Sequence, residues 1–595
     1  DSIYAKAFID GDENFASFAK NVKEGKWYKF RGTIKYDEYA KEITFSLTDI
    51  NFFDKKEDKR VDTAPIKRVE LHAHTMMSQM DGVADEVALV KAAIKLGHLG
   101  IAITDHDGCQ AFPHVYGEIG KYNKGLKAPY KEMISELENK LKDATEEEKE
   151  ALNKEIAEHK DQMKKLPLFK GMYGVELELS KDNVDIVVNP DDSDIFNNTY
   201  VVFDTETTGF NPGLHDSMIE IGAVKLKDGN VIERFDELIN PGHHIDEQIT
   251  NLTGISDELV SNCDNEKNVT IRFKEWIGNL PLVAHNAKFD KDMLEMAYYK
   301  YDLGELKNPV IDTWMLSKAI NKDCKKHSLT ALSKYYKIKF DENVKNDDEE
   351  EQVTGAHHHR ADYDAEATGS IFYKMLKQLE KMENIKTLND LENITDEFET
   401  NEIVKEWHVN MISKSKKGLK NLFKLISFAN TKYLVKCARI PKHVIEENRE
   451  DLLIGSGCMN SEIFLTALSR TEEDLKKAMA FYDYIEVQPP SNYEHLVFSH
   501  DISNYDDLIY CLNKIIKCAR ELGKIVVATS DAHSITKEDT IYREFIVHQN
   551  VPGKGRHPLA RYLSKEGYNR IPPQYLRTTD EMLEEFKFLD PEVRE

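Results

Sequence analysis

Asp204 and Glu206 stand two apart at the end of the run Tyr200-Val-Val-Phe-Asp-Thr-Glu, a spacing that sends both carboxylates off one face of an extended strand. Asp290 follows the run Leu282-Val-Ala-His-Asn-Ala-Lys-Phe, and Asp364 lies five residues after His359 at the start of the helical pattern Ala361-Asp-Tyr-Asp-Ala-Glu. If these three elements are neighbours, four carboxylates and one imidazole share a space. Oxygen donors of this kind suit Mg2+ or Mn2+ better than Zn2+, and two such ions about 3.5 to 4 Å apart can activate a water and stabilise the leaving oxygen of a phosphodiester. His359 is the side chain of the set that can take the proton from that water. Taken singly, each residue is ordinary, since an Asp at a helix start commonly serves the helix dipole.

A second constellation is scattered more widely. His72 and His74 lie two apart in Val69-Glu-Leu-His-Ala-His, and Asp531 and His533 repeat that arrangement after Val526-Val-Ala-Thr-Ser. Asp81, His106 in Thr104-Asp-His, Glu176, His408 and Cys458 add further nitrogen, oxygen and sulfur donors. Nine donors exceed the needs of one ion; they suit two or three, with the thiolate favouring Zn2+ at one position and Mn2+ or Fe as the other expected metals. Cys458 alone fits a small buried hydrophobe as well as a ligand, and His98 is expected to be structural.

The motifs Phe203-Asp-Thr-Glu-Thr-Thr-Gly, His285-Asn-Ala-Lys-Phe-Asp and His359-Arg-Ala-Asp-Tyr-Asp together resemble the DEDDh class of 3′→5′ exonucleases. The resemblance implies that Asp204, Glu206, Asp290 and Asp364 hold two metals and that His359 is the base. It also implies that Asn251-Leu-Thr-Gly-Ile, expected as a turn after a strand, helps hold the 3′-terminal nucleotide. The His-x-His, Thr-Asp-His and Asp-x-His motifs with their outlying donors resemble the PHP (polymerase and histidinol phosphatase) family, a distorted (β/α) barrel whose strand ends carry such a set.

The elements that must position these residues alternate strand and helix through most of the chain, which points to α/β architecture with parallel pairing. The whole exonuclease-like stretch falls between Glu176 and His408, so one domain is inserted in another. The expected layout is a small OB-like β module at 1–60, the first part of a PHP domain at 67–190, an RNase H-like exonuclease at 197–385, the second PHP part at 400–560 and a connecting tail at 561–595. Residues 54–65 read as a linker, residues 130–165 as a charged helical hairpin exposed on the surface, and residues 376–406 as helical and charged throughout. In the first module, Trp27-Tyr-Lys-Phe-Arg-Gly interleaves aromatics with cations, as single-strand-binding barrels do, though an ordinary amphipathic strand has the same look.

Composition sets outer limits. At 595 residues the chain has room for roughly four domains of about 150 residues each. Its 80 Lys and Arg against 106 Asp and Glu give a net charge of −26, which argues against coating nucleic acid through bulk positive charge but leaves room for a local basic groove. Seven Cys without a Cys-x-x-Cys pair fit a reducing compartment, and the absence of an apolar run of membrane length or a signal segment completes the expectation of a cytoplasmic, soluble protein with no membrane partner. The first residue is Asp1, so an excised piece is expected.

The order of modules resembles the PolC type of bacterial DNA polymerase III alpha subunits, which are replicative polymerases, including the text Gly418-Leu-Lys-Asn-Leu-Phe and Phe481-Tyr-Asp-Tyr-Ile-Glu-Val. Three features depart from it: a long hairpin, an amino-terminal module that begins partway through its barrel, and no Pro-Asp-Ile-Asp palm segment before Glu595. The resemblance implies a proofreading fragment that trims the single-stranded 3′ end of DNA to dNMP. In the parent enzyme the partners would be primer–template DNA and replication machinery including a sliding clamp. The PHP part would be a phosphoesterase acting on a substrate such as pyrophosphate, or a metal-stabilised scaffold, the latter being preferred. A free-standing repair or RNA-processing exonuclease and a non-catalytic DNA-binding module are the competing classes.

Overall fold

The computed structural model describes residues 4–6, 18, 20, 22–23, 28–37, 41–52, 60–338, 360–551, 555–560 and 571–594. The chain divides into two units, 1–61 and 62–595. In the first, β1 (Tyr4–Lys6) runs parallel to β3 (Glu42–Phe52), which pairs antiparallel with β2 (Tyr28–Asp37). Trp27 and residues 54–59 of the expected linker lie outside the described residues.

The second unit is built on two sheets. The larger places its strands in the order β17-β16-β15-β13-β6-β5-β4, with β14 (Arg439–Pro441) also on β6. Strands β4 (Val69–Glu70), β5 (Gly100–Ile103) and β6 (Lys170–Ser180) are mutually parallel. Strands β15 (Leu452–Gly455), β16 (Tyr484–Val487) and β17 (Ile525–Ala528) are parallel too, and β13 (Glu406–Ser413) runs antiparallel to both β6 and β15. A parallel bridge between Ala73 and Ala532, just beyond β4 and β17, joins the two edges of the sheet and curls it into a distorted barrel. The strands read as apolar runs because helices cover their outer faces. Val175, Leu177, Val409, Ile454 and Ile485 are all fully buried or nearly so.

The smaller sheet is inserted between β6 and β13. Its order is β10-β9-β8-β11-β12-β7. Strands β8 (Thr199–Thr207), β9 (Met218–Lys227) and β10 (Asn230–Leu238) form an antiparallel meander, while β11 (Leu282–Ala284) and β12 (Val310–Asp312) continue from β8 in parallel. The unit is wider than the expected 197–385. Strand β7 (Val187–Val188) pairs antiparallel with β12, and Leu388, Leu391 and Val404 sit in the same core as Val187 and Phe372. The stretch 376–406 is correspondingly not one charged helix: it holds a 3-10 turn at Leu388–Asn393, a helix at Glu397–Ile403 and the start of β13.

Two further readings change. The helical hairpin begins at Phe112, well before residue 130, because Pro113 opens a 29-residue helix, Phe112–Lys140, that continues through Pro129. Its second arm, Glu146–Lys165, starts on a Thr145 capping box, and the arms share a small core of Ile134, Leu137 and Ile156. Residues 571–594, expected as the start of a connection, pack on the barrel instead: Leu576, Met582 and Phe586 are buried in its core, and the fully buried Arg577 donates to Ser491, Asn492 and Pro573. Among the described residues no helix is long and apolar enough to cross a membrane, and all seven cysteines are free.

Two candidate metal centres

The bridge that closes the barrel also assembles its cluster. Ala73 opposite Ala532 sets His72 and His74 beside Asp531 and His533, and the bridge His106 to Glu176 brings in the next two donors. His72 Nε2 and His74 Nε2 lie 3.0 Å apart, and Glu176 Oε2 is 3.0 and 3.1 Å from them. Asp531 Oδ1 is 3.5 and 3.4 Å from the same two nitrogens. Asp81 Oδ2 sits 3.2 Å from both His106 Nε2 and His533 Nε2. Glu176 Oε1 contacts His408 Nδ1, and Cys458 Sγ is 3.2 Å from that nitrogen and 3.6 Å from Glu176 Oε1. All nine sequence-predicted donors therefore meet at one end of the barrel.

Outer partners fix which atom of each side chain faces inward. His72 Nδ1 donates to Glu486 Oε1 at 2.5 Å. Ser78 Oγ gives its proton to Asp105 and so accepts from His74 Nδ1 at 3.0 Å. His533 Nδ1 donates to the carbonyl oxygen of Asp531 at 2.9 Å. All three imidazoles are thus held as the tautomer whose Nε2 lone pair points into the cluster. The carboxylates are divided in the same way: Asp81 Oδ1 accepts from Arg543 Nε at 2.7 Å, and Asp531 Oδ2 accepts from Gln574 Nε2 at 2.5 Å. Asp531 Oδ1 and His533 Nε2 are buried without a hydrogen bond, which is what inward-facing ligand atoms leave behind when a cation is their partner.

Without a cation, protons on the imidazoles answer the cluster's carboxylates. Burial opposes the charge on His72 and His74, yet the surrounding carboxylates win: Glu486, Asp531 and Glu176 hold His72 well above its ordinary value, and Asp531 and Glu176 raise His74 to about 9. His533 is pushed down to about 4, by burial and by Arg543. Burial also opposes ionisation of Asp81, but Arg543 and His533 hold it well below the usual carboxylate range. Burial keeps the Cys458 thiol up at about 12, so a thiolate there requires a cation beside it. The residues present fit bound metal.

The smaller sheet carries the second cluster. Strand β8 presents Asp204 and Glu206, while Asp364 lies in the first turn of the helix Ala361–Leu379 that crosses the sheet. Ligand oxygens of Asp204, Glu206 and Asp364 fall within 4.8 Å of one another. Asp290, in the first turn of the helix Lys288–Lys300, is tied to the same strand because its Oδ1 accepts from Thr205 N at 2.9 Å and Thr205 Oγ1 at 2.7 Å. Burial and the charges of Asp290, Asp364 and Glu206 push Asp204 well above the carboxylate range. Glu206 rises to about 8 through burial, Glu220 and Asp364, and burial lifts Asp290 to about 7 against its bonds from Thr205. Arg360 faces Glu220 rather than the cluster, with Nε 2.8 Å from Glu220 Oε1. Four crowded carboxylates, three of them held above their ordinary range, fit hard divalent cations.

His359, the expected base, lies outside the described residues. The segment Asn251–Ile255 is not a turn after a strand: it closes the helix Glu247–Thr253, whose last turn ends on Gly254 at φ 75°, a left-handed conformation that glycine adopts freely. His98 is buried and donates Nε2 to the Arg577 carbonyl at 3.1 Å, apart from the cluster.

The model of the family described as PHP domain matches residues 70–210 and 315–489, just over half of the chain. This chain belongs to the PHP family. Its PHP domain is interrupted by a second match, to the family described as Exonuclease, over residues 201–372. The DNA polymerase III PolC-type of Oceanobacillus iheyensis is 35% identical over 598 residues, covering 99% of this chain and 36% of that protein. The protein of the same name from Lactococcus lactis subsp. lactis is 36% identical over 601 residues, covering 99% of this chain and 32% of that one. The chain thus spans about a third of the length of the curated relatives it matches. Among solved structures, Exonuclease X in complex with 5′ overhanging duplex DNA is similar over 33% of this chain and 99% of its own, at 24% identity and a TM-score of 0.25.

Within the PHP cluster, the residues that sequence reading missed are the outer partners Glu486, Arg543 and Gln574, together with His557, whose Nε2 is 3.4 Å from Asp81 Oδ1. Only Glu486 left a signal, as a charged residue inside the buried strand Tyr484–Val487.

Proposed function

We propose that this chain is the proofreading part of a PolC-type replicative DNA polymerase, removing mispaired nucleotides from the 3′ end of a primer as dNMP. The observation that carries the reading is the meeting of Asp204, Glu206 and Asp364 oxygens within 4.8 Å, beside Asp290, in the stretch matched by the Exonuclease family. Mg2+ or Mn2+, held by those four carboxylates, would activate water and stabilise the leaving oxygen. The protein's own part is to hold the oxygens aimed at one point, with Asp290 fixed by Thr205 and Asp364 carried on its helix. His359 is assigned the proton of the attacking water. A frayed single strand is the substrate assigned to it. In the parent enzyme the partners are primer–template DNA and a sliding clamp. The three-stranded sheet of residues 4–52 is assigned as part of an OB-like module.

For the PHP cluster we infer a metal-stabilised scaffold, binding Zn2+ with Mn2+ or Fe. Support comes from its seclusion: His72 and His74 are fully buried, and His72, Asp81 and Asp531 are pinned by Glu486, Arg543 and Gln574 from other elements. The test uses 5′-labelled single-stranded DNA with Mg2+ or Mn2+, beside the Asp204→Ala, Glu206→Ala double variant. A ladder that shortens from the 3′ end only with the unaltered chain is expected. Equal degradation by both proteins would refute the site.

A further inference from the structure

The nuclease cleft does not stand on its own sheet alone. Two elements bear three of its carboxylates: strand β8 with the loop that leaves it, and the helix Lys288–Lys300. The PHP barrel grips both. From the helix, Asp292, two residues past Asp290 and nearly inaccessible, meets Arg470 Nη1 at 2.7 Å. The same guanidinium contacts Glu295 and, through Nη2, Asp474 at 3.1 Å. Arg470 closes the barrel helix Glu462–Ser469.

The loop after β8 is held as tightly. Lys514, on the barrel helix Tyr505–Glu521, buries its ammonium against three carbonyls: Gly213 at 3.2 Å, Ala467 at 2.8 Å and Arg470 at 2.7 Å. One of these belongs to the nuclease loop and two to the end of the Arg470 helix, so a single cation staples the two domains. Gly213 N donates to Leu468 O at 2.9 Å, and a Cβ at Gly213 would stand 2.7 Å from that oxygen, so only glycine permits this approach. Asn211 Nδ2 donates to Asp501 O at 2.6 Å, and His215 Nδ1 lies 2.7 Å from an Asp507 oxygen. A buried ammonium with all its protons given to backbone carbonyls, and a guanidinium shared among three carboxylates, are costly to desolvate unless the geometry is fixed.

We infer that the PHP barrel sets the spacing of the nuclease's metal-binding carboxylates, with Arg470 as a positioning residue that registers Asp290 against Asp204 and Glu206. This rests on the nuclease reading above. It makes the inserted domain dependent on its host for activity, since a misplacement of about 1 Å in such a constellation costs on the order of 10²-fold in rate.

The test is Arg470→Met in the full chain. Folding should survive, because Lys291 Nζ remains 3.0 Å from Asp292 and 2.9 Å from Glu295. Three quantities are read: the rate of 3′ shortening of labelled single-stranded DNA, Mn2+ affinity of the cleft by electron paramagnetic resonance, and the thermal midpoint. The cleft signal is identified as the one lost in the Asp204→Ala, Glu206→Ala variant. The rate should fall about ten- to a hundredfold and Mn2+ affinity should weaken, with the midpoint nearly unmoved and partial recovery in Arg470→Lys. Gly213→Val should act alike from the other contact. Unchanged rate and Mn2+ affinity in folded Arg470→Met would overturn the inference, as would a rate that falls only in step with the unfolded fraction. Should the unaltered chain fail to degrade DNA while Arg470→Met still weakens Mn2+ binding, the nuclease reading fails and the positional coupling stands.

Discussion

The two clusters gather similar numbers of carboxylates by opposite electrostatic strategies. In the PHP barrel, Glu176, Asp531 and Asp81 are interleaved with His72, His74, His106 and His533, and the third of these acids also has Arg543. Protons on the imidazoles can stand in for metal there, so the barrel end can assemble before any ion arrives. In the nuclease, Asp204, Glu206 and Asp364 face one another beside Asp290, and Arg360 is bonded to Glu220. A bound cation, or protonation of the acids themselves, relieves that repulsion. The contrast separates a site that helps to hold a fold from one held together at a cost.

The contrast is broken most severely at the nuclease. Replacing Asp204 and Glu206 together by Ala should lower DNA degradation by about 10³-fold or more, because both acids act on the transition state rather than in the core. Gel analysis of 3′ shortening reads it, and the same variant should melt no lower than the parent without metal. The opposite sign is expected from the barrel. Asp531→Ala strands Gln574 and the facing imidazoles of His72 and His74, and should cost about 3 to 5 kcal/mol in urea unfolding. A smaller effect sharpens the distinction: Glu486→Gln should weaken barrel metal affinity roughly ten- to a hundredfold in chelator competition, leaving nuclease rate nearly unchanged.

The gentlest probe is pH in the presence of chelator. Glu206 at about 8 and Asp290 at about 7 lie above their ordinary values near 4, so the folded cleft keeps protons that the unfolded chain has lost. Their contribution to stability is complete below about pH 4 and disappears as pH rises through about 7 to 8. Calorimetry should therefore find the metal-free chain less stable at pH 9 than at pH 6, with added Mg2+ recovering more at the higher pH. A metal-free stability that climbs over that range would remove the contrast between the clusters.

Much of this was legible in the residues. Asp204 and Glu206 were readable because a two-residue spacing at a strand end has one geometric meaning, and His72-x-His74 and Asp531-x-His533 repeat it on strands that a single bridge makes neighbours. Partners that act one at a time escaped: Arg543 and Gln574 sit in no motif, and their roles exist only once the helix Thr540–Val547 and the segment after residue 571 have packed against the barrel. The segment Asn251–Ile255 was misread because Thr-Gly marks a helix end as readily as a turn. The reach of the nuclease core to Val404 was hidden by charged text whose apolar residues, Leu388, Leu391 and Val404, are too sparse to show a period.

The pairing of Glu406 directly opposite Ser180 gives the inserted nuclease a part in how the chain reaches its fold. These two residues, remote in sequence, occupy the position where an ordinary β-hairpin would have its turn. Pairing them from an open chain would require closing a very long loop. Once the nuclease between them has folded as a unit, it presents β6 and β13 side by side and shortens the effective separation to that of a tight connection. The insertion then works as a rigid turn. Stopped-flow refolding should find barrel closure following nuclease formation, and a chain with 181–405 replaced by a two-residue Asn-Gly turn should still pair β6 with β13 in register.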